Sequence, residues 1–93
     1  MVEVRFFTTL RDITQTKRDE VTISSATTVE SLVALLSKKY GRSFHEYVYD
    51  EEGKLKPYLK YLVNGRSITS LHGVKTLLTN EDTVAILPPV GGG

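Results

Sequence analysis

Hydrophobic and polar residues alternate at the start of the chain, over Met1–Phe7. The apolar residues Val2, Val4 and Phe6 are separated by charged ones, which is the period of a strand that buries one face. Phe7 breaks the alternation and places a second aromatic side chain on the polar face. Later segments rich in β-branched or aromatic residues also predict strands: Glu20–Ser24, Tyr58–Val63, Arg66–Ile68 and Thr83–Leu87.

A different period, with apolar residues three and four positions apart, predicts one main helix over about Thr28–Tyr40. Thr27 is placed to cap its start, and Glu30 three residues later would complete a capping box. Gly41 is a natural stop for the helix. The apolar stripe consists of Val29, Leu32, Val33, Leu36 and Tyr40.

The connecting segments are predicted from their polar and turn-forming residues. Thr8–Asp19 is mostly polar and indicates a hairpin loop, and Asn64-Gly65 is typical of a tight hairpin between two strands. Further back, Tyr47 and Tyr49 favour a short strand before a turn at Asp50–Gly53.

Together these elements predict an α+β domain, a sheet of four to five strands with the main helix across one face. We expect the domain to span residues 1–87 and a flexible tail to follow over residues 88–93. The pattern alone leaves the order of the strands in the sheet open.

Composition excludes several classes of function. With 93 residues, 40% of them hydrophobic, the chain has the size and apolar content of one small globular domain. Its net charge is +1 without a basic block, so nucleic acid is not an expected partner. The apolar runs are too short for a membrane span, and Met1 leads directly into a strand pattern. We therefore expect a cytoplasmic protein without a membrane partner or signal peptide.

No residue pattern indicates an enzyme active site. The chain has no cysteine, which excludes disulfides, thiolate metal ligands and thiol chemistry. His45 and His72 stand alone, and neither a phosphate-binding glycine loop nor a nucleophilic serine motif is present. We therefore expect no catalytic residue, no metal and no bound cofactor.

The last seven residues, Leu87-Pro88-Pro89-Val90-Gly91-Gly92-Gly93, are the most distinctive segment. The prolines cannot continue a sheet ladder and favour an extended conformation, and three glycines carry the chain to a free α-carboxylate. Six residues at ~3.3 Å each reach roughly 20 Å, enough to enter a narrow site in another protein. Glycine-rich ends are also common as plain disordered termini, although the proline pair and the preceding strand count against that interpretation.

This ending resembles the Phe/Leu-Pro-Pro-Val-x-Gly-Gly ending of the small subunit of molybdopterin synthase, and Val2–Phe7 with Leu10-Arg11-Asp12 is similar to that subunit's start. The chain therefore resembles the ubiquitin-like sulfur carriers of the MoaD and ThiS family, which include the thiamine sulfur carrier and the small archaeal modifier proteins. The resemblance implies a β-grasp fold, with the first and last strands adjacent and parallel at the centre of a mixed sheet.

The resemblance also implies how the tail would be used. An E1-like activating enzyme would consume ATP to adenylate Gly93, and a sulfur donor would displace AMP to leave a thiocarboxylate. The large subunit of molybdopterin synthase would be the partner in sulfur transfer. Attack by an amine would instead join the chain to lysines of target proteins. The residues recognised in the tail would be Pro88, Pro89, Val90, Gly91 and Gly92.

Strand parity predicts a partner-binding face on the uncovered side of the sheet. If Val2, Val4 and Phe6 face the helix, other apolar residues at the strand ends face the opposite way. Exposed apolar clusters often mark partner surfaces. The cluster would consist of Phe7, Leu62 and Leu87, with rim contacts from Arg5, Lys60 and Arg66.

Three hypotheses follow. A sulfur carrier for molybdopterin synthesis comes first, because the Pro-Pro-Val element resembles that branch most closely; thiamine synthesis or tRNA thiolation would use the same tail. A protein modifier conjugated through Gly93 comes second, and one protein can serve both roles. The third hypothesis is a ubiquitin-like interaction module whose tail is inert.

Overall fold

The computed structural model of this chain describes residues 1–23 and 25–89. Seven strands, three α-helices and two short 3₁₀ helices follow one another along the described residues. They are β1 (Val2–Phe6), α1 (Thr9–Thr14), β2 (Arg18–Val21), β3 (Thr27–Thr28), α2 (Val29–Tyr40), α3 (Arg42–Val48), β4 (Lys60–Val63), β5 (Arg66–Ser67), the 3₁₀ turns Ile68–Ser70 and Gly73–Lys75, β6 (Leu77–Leu78) and β7 (Thr83–Leu87). They form a five-stranded sheet in the order β2-β1-β7-β4-β5 and a two-stranded sheet of β3 and β6.

The first and last strands pair at the centre of the larger sheet. β1 and β7 run parallel, with Val4 beside Val84 and Phe6 beside Ile86. β2 and β4 flank this pair in the antiparallel direction. The mixed sheet and its parallel central pair confirm the β-grasp arrangement that the resemblance implied.

One face of the sheet packs against the helices and forms the core. The alternation in β1 is confirmed, because Val2, Val4 and Phe6 are each no more than 1% exposed. The Phe6 ring meets the rings of Tyr40 and Phe44 edge-on, with centroids 5.7 and 6.3 Å away. The apolar stripe of α2 contributes Val29, Leu32, Val33 and Leu36 to the same core.

The segment between β1 and β2 contains a helix, so the prediction of a hairpin loop over Thr8–Asp19 was wrong. Leu10 and Thr14, one turn apart in α1, are both buried. The Thr14 hydroxyl donates a hydrogen bond to the Leu10 carbonyl at 2.9 Å. Six residues hold too few apolar positions for a helical period to stand out from the surrounding polar residues.

The short strand predicted at Tyr47 and Tyr49 was also wrong, because Arg42–Val48 forms α3 and only Tyr49 makes an isolated antiparallel bridge, with Leu55. Phe44 and Val48 are one helical turn apart, and both are fully buried. The tyrosines suggested a period of two, but the more apolar pair with a spacing of four determines the structure.

The start of α2 lies one residue later than predicted. Thr28, not Thr27, is the N-cap, and its hydroxyl accepts a hydrogen bond from the Ser31 backbone N–H at 3.2 Å. Thr27 pairs with Leu78 in the small sheet, which the sequence did not reveal. Glu30 does not complete a capping box, because Ser31 occupies the third position after the N-cap, and the Glu30 carboxylate pairs with Lys75 instead.

β7 spans its predicted range, Thr83–Leu87, whereas β4 and β5 are shorter than predicted and β2 begins two residues earlier than predicted. β2 comprises Arg18–Val21, and Ser24, the last residue of the predicted strand, lies outside the described residues. β4 begins only at Lys60. The Asn64-Gly65 hairpin is confirmed, because both residues have positive φ angles, 52° and 83°, as a type I′ turn requires.

Candidate partner-binding face and tail exit

The tail leaves the domain from the centre of the sheet. Leu87, the last residue of β7, pairs with Lys60 at the start of β4, and Ile86 pairs with Phe6 at the end of β1. Phe7 and Lys60 therefore flank the exit on either side. Pro88 is half-buried and Pro89 is exposed. The tail residues Val90, Gly91, Gly92 and Gly93 lie outside the described residues.

The side of the sheet away from the helices carries most of the residues that parity assigned to it. Arg5, Ala85 and Leu62 form a row across β1, β7 and β4, since each lies opposite the next in the register. Leu87 and Lys60 form the next row, and Phe7 follows directly on Phe6, whose partner in the register is Ile86. We call Arg5, Phe7, Lys60, Leu62, Ala85 and Leu87 the open face.

The apolar members of the open face are only partly accessible. Phe7, Leu62 and Leu87 are half-buried, whereas Arg5 and Lys60 are exposed. The apolar cluster is therefore a shallow surface framed by cations. Burying it against a partner would remove apolar area from water and add charged contacts at the rim.

Arg66 lies on the opposite side from the open face. In the β4–β5 hairpin, Leu62 pairs with Ser67 and Val63 pairs with Arg66. Residues directly opposite each other in an antiparallel pair share a face, so Arg66 lies on the side of the buried Val63. The hairpin register therefore corrects the placement of Arg66 at the rim, because counting outward from Asn64-Gly65 puts it on the core side.

One member of the open face, Ala85, and one neighbour of it, Arg18, were not predicted from the sequence. Ala85 occupies the centre of the face, and Arg18 extends its cationic edge because it lies opposite Arg5. A small alanine draws no notice in a strand pattern. Arg18 could have been found only with the β1–β2 register, and the incorrect loop prediction concealed that register.

Polar groups at the other end of β7 hold it in place. The Asp82 carboxylate accepts hydrogen bonds from the Thr79 backbone N–H at 2.8 Å and the Asn64 side-chain amide at 2.9 Å. The bond from Thr79 does most to hold the pKa of Asp82 below its usual value, against the opposing effect of burial. The Asn64 side-chain oxygen accepts from the Thr83 backbone N–H at 2.9 Å, which fixes the start of β7.

A second ionised group braces β2 against α2 on the core side. Burial alone would raise the pKa of Asp19, but hydrogen bonds from Lys39 at 2.7 Å and Tyr40 at 2.6 Å outweigh it, and the pKa is lowered. Burial and the Asp19 carboxylate together raise the pKa of the Tyr40 hydroxyl. Asp19 pairs with Val4 in the sheet, so this brace lies away from the open face.

In the part of the chain that the structure describes, the two histidines do not come together with each other or with a carboxylate. His45 lies with Nδ1 3.1 Å from the Ser37 hydroxyl and its ring against Tyr49, while His72 is exposed on another part of the surface. Within residues 1–23 and 25–89, no three His, Cys, Asp or Glu side chains gather as metal ligands would. Nor does any helix there have the length and apolar character that crossing a membrane would require.

Comparison with known proteins places the chain in a family. The model of the ThiS family matches residues 4–93. Small archaeal modifier protein 3 of Haloferax volcanii is 33% identical over 92 residues, which cover 99% of this chain and 98% of that protein. A protein of Archaeoglobus fulgidus with the name "Putative sulfur carrier protein" is 38% identical over 66 residues, which cover 71% of this chain and 74% of that protein.

Solved structures agree with the sequence comparison. A chain in the crystal structure of the Amycolatopsis orientalis BexX/CysO complex superimposes with a TM-score of 0.80 and 26% identity, with 100% of both chains covered. Since the family match spans nearly the whole sequence, this chain belongs to the ThiS family and is a ubiquitin-like protein of the sulfur-carrier and modifier type.

Proposed function

We propose that the α-carboxylate of Gly93 is the reactive group of this protein and that it carries sulfur as a thiocarboxylate for molybdopterin synthesis. The observation that supports this most directly is the extent of the family match, which runs through the tail to residue 93. Because the family match includes the tail, this supports a tail that is part of the family's sequence pattern and not an unrelated linker.

The chemistry requires activation, because a carboxylate with a reference pKa of ~3.5 is ionised at pH 7 and is a poor electrophile. An E1-like enzyme would join the Gly93 carboxylate to the α-phosphate of ATP and release pyrophosphate. A sulfide equivalent from the sulfur donor would then attack the acyl carbon, and AMP would leave with its bonding electron pair. The product is a terminal thiocarboxylate, with sulfur in place of one oxygen.

The domain supplies the fixed base from which the tail is presented. β7 is hydrogen-bonded on both sides, to β1 and to β4, so the point where the tail begins has a defined position. Pro88 and Pro89 favour an extended path away from the sheet, and three glycines in sequence put no side chain beside the reacting carbonyl. The open face beside the exit would dock on the activating enzyme while the tail enters its site.

The same face and tail would serve the partner that takes the sulfur. In this proposal the large subunit of molybdopterin synthase binds the charged carrier after the activating enzyme releases it. The Leu-Pro-Pro-Val sequence before the glycines, with its resemblance to the synthase small subunit, favours this acceptor. ATP is used by the activating enzyme, and the carrier itself holds no cofactor.

A second function, as a protein modifier, is supported by the similarity to small archaeal modifier protein 3 over almost the entire length of both chains. The chemistry diverges only after adenylation, when a lysine amine of another protein attacks the activated carbonyl and forms an isopeptide bond. Both functions therefore need Gly93 and the same first enzyme.

Intact mass after incubation with cell extract, ATP and sulfide would test both functions. We expect the wild-type chain to gain the mass that results when sulfur replaces one oxygen, and a Gly93 deletion to gain nothing. Glu52→Gln, an exposed change in the turn after α3, is the matched control and should react like the wild type. Higher-mass adducts with a glycine remnant on target lysines would establish the modifier role. An unaltered wild-type mass without adducts would overturn the proposal and favour an inert tail.

A further inference from the structure

A hollow lined by cationic and aromatic residues lies beside the open face, at the edge of the sheet nearest the tail exit. Four cationic side chains line it, together with Phe6 and Phe7, around a volume of about 350 Å³. No acidic side chain lines it among the described residues. We call it the basic hollow; its cations are Arg5, Arg11, Lys17 and Arg18.

Three different elements assemble the basic hollow. Arg5 in β1 lies opposite Arg18 in β2, and Arg11 comes from α1. Lys17 lies in the connection to β2, where its carbonyl accepts a hydrogen bond from the Phe6 backbone N–H at 2.9 Å. The Thr16 hydroxyl donates to the Arg18 carbonyl at 2.9 Å and fixes the same connection. The cations therefore project from an ordered backbone.

The charges of the basic hollow are only partly offset by acidic side chains. Like charges directly opposite each other on neighbouring strands are destabilising, and Arg5 and Arg18 are such a pair. Glu3 is shared between them, with its carboxylate 2.5 Å from Arg5 and 3.8 Å from Arg18. Among the described residues, Arg11 and Lys17 have no acidic partner within salt-bridge distance.

The positive charge of the basic hollow also contrasts with the charge of the rest of the chain. The net charge of the protein is +1, so the chain outside this cluster of four cations and one carboxylate is net acidic. A local field of this kind accelerates association with a surface of opposite charge. It points to a binding partner that is acidic at one defined place.

We propose that the basic hollow binds an acidic segment of the activating enzyme, next to the part of that enzyme that receives the open face. The inference rests on the proposed function, because it takes the activating enzyme as the partner. Arg5 and Phe7 belong to both surfaces, so a partner that covers the open face also lies next to the hollow. The hollow would set the rate and orientation of docking, and the apolar face would hold the complex.

A protein partner fits these observations better than a nucleic acid. Phosphate backbones are usually bound by a basic stripe or a domain with a strongly basic balance, whereas this chain has a pI of about 8.0 and one local cluster. The apolar surface adjoining the cluster is of the kind that protein interfaces bury.

The test is the association rate constant with the purified E1-like enzyme that adenylates Gly93, measured by stopped flow at low and high salt. The double variant Arg11→Gln/Lys17→Gln removes two charges from the hollow and leaves Arg5 in place. Its matched control, Lys38→Gln/Lys54→Gln, removes two charges from exposed positions on α2 and the turn after α3. We expect the hollow variant to associate about 10-fold more slowly at low salt and the control less than about 2-fold more slowly. At 0.5 M salt the difference should largely disappear.

Equal slowing of both double variants would overturn the inference, because it would show an effect of net charge alone. An unchanged association rate would overturn it as well. Total tRNA is the second probe: loss of tRNA binding in the hollow variant, without slower docking on the enzyme, would assign the hollow to RNA instead. Adenylation of Gly93 at saturating enzyme is measured in parallel. If wild-type adenylation occurs and the hollow variant docks normally, the proposed function stands and only this inference fails.

Discussion

The two ends of β7 differ in how their polar groups are used. At the hairpin end, Asn64, Thr79, Asp82 and Thr83 satisfy one another through hydrogen bonds of 2.8 to 2.9 Å. At the tail end, Arg5 and Arg18 face each other with one carboxylate between them. One end of the strand is arranged to hold the fold, and the other leaves charge and apolar surface available to a partner.

The backbone angles at the two ends also differ in part. At the hairpin end, Asn64 and Gly65 tolerate their positive φ angles well, and Glu81 in the turn before β7 has a positive φ of 80°. At the tail end the residue directly before α1 is Thr8, a β-branched residue with φ of 47°. Such a residue in this region is strained. The difference indicates that stability and partner binding are separable here, and substitutions at the two ends should separate them.

The largest effect on stability is expected at the hairpin end, from Asn64→Ala. This change removes the hydrogen bonds to Asp82 and Thr83 and puts alanine at a positive φ. We expect a loss of about 2–3 kcal/mol in the free energy of unfolding, measured by urea titration. Asn80→Ala, at an exposed turn position, should cost much less. Similar losses in the two variants would contradict the special role of Asn64.

At the tail end, Phe7→Ala should have the opposite profile. Phe7 is half-buried at the junction of the open face and the basic hollow, so its removal should affect docking more than folding. We expect affinity for the activating enzyme to fall about 10- to 30-fold, as for an aromatic anchor in an interface. Titration calorimetry would measure it. Leu35→Ala, which removes an apolar side chain that is 48% exposed on α2, is the control and should bind normally.

Much of this contrast could be foreseen from the residues, and the rest depended on register. The alternation of Val2, Val4 and Phe6 predicted which side of β1 is buried, because parity within one strand needs only local order. Arg66 was misplaced because its side is set by the hairpin pairing with Val63. Cross-strand partners are not encoded in any one segment.

The helices show a second reason for the limits of sequence. The twelve residues of α2 span three turns, enough to display an apolar stripe. The six residues of α1 and seven of α3 do not, and both were predicted as other structure. The error at α1 hid the basic hollow, since the helix and the connection after it supply Arg11 and Lys17 to it.

Thr8→Gly tests whether strain at the tail end is real. Glycine adopts the observed backbone angles of 47° and −117° without a Cβ clash, so we expect the variant to be about 1 kcal/mol more stable in urea. Thr9→Gly, the next residue and the first of α1, should be destabilising, because glycine inside a helix loses more conformational entropy. A loss of stability in both variants would show that Thr8 is not strained.

The smallest expected effect is the pH dependence of the hairpin end. The folded pKa of Asp82 lies below its unfolded value, so its carboxylate stabilises the fold above a pH of about 4. That contribution is lost as the pH falls through the folded pKa, because the protonated acid no longer accepts the bonds from Thr79 and Asn64 as an anion. Partial exposure screens the interaction of the carboxylate, so we expect a contribution of about 0.5 kcal/mol.

Asp82→Asn should therefore be less stable than the wild type at neutral pH and approach it below a pH of about 3, in urea titrations at each pH. The pKa of Asp19 is also lowered, so protonation of Asp19 causes a separate loss of stability in acid. That loss should persist in Asp82→Asn, because Asp19 braces β2 on the core side. A constant difference in the free energy of unfolding between the two proteins from neutral to acid pH would show that the hairpin end depends on the shape of the Asp82 side chain and not on its charge.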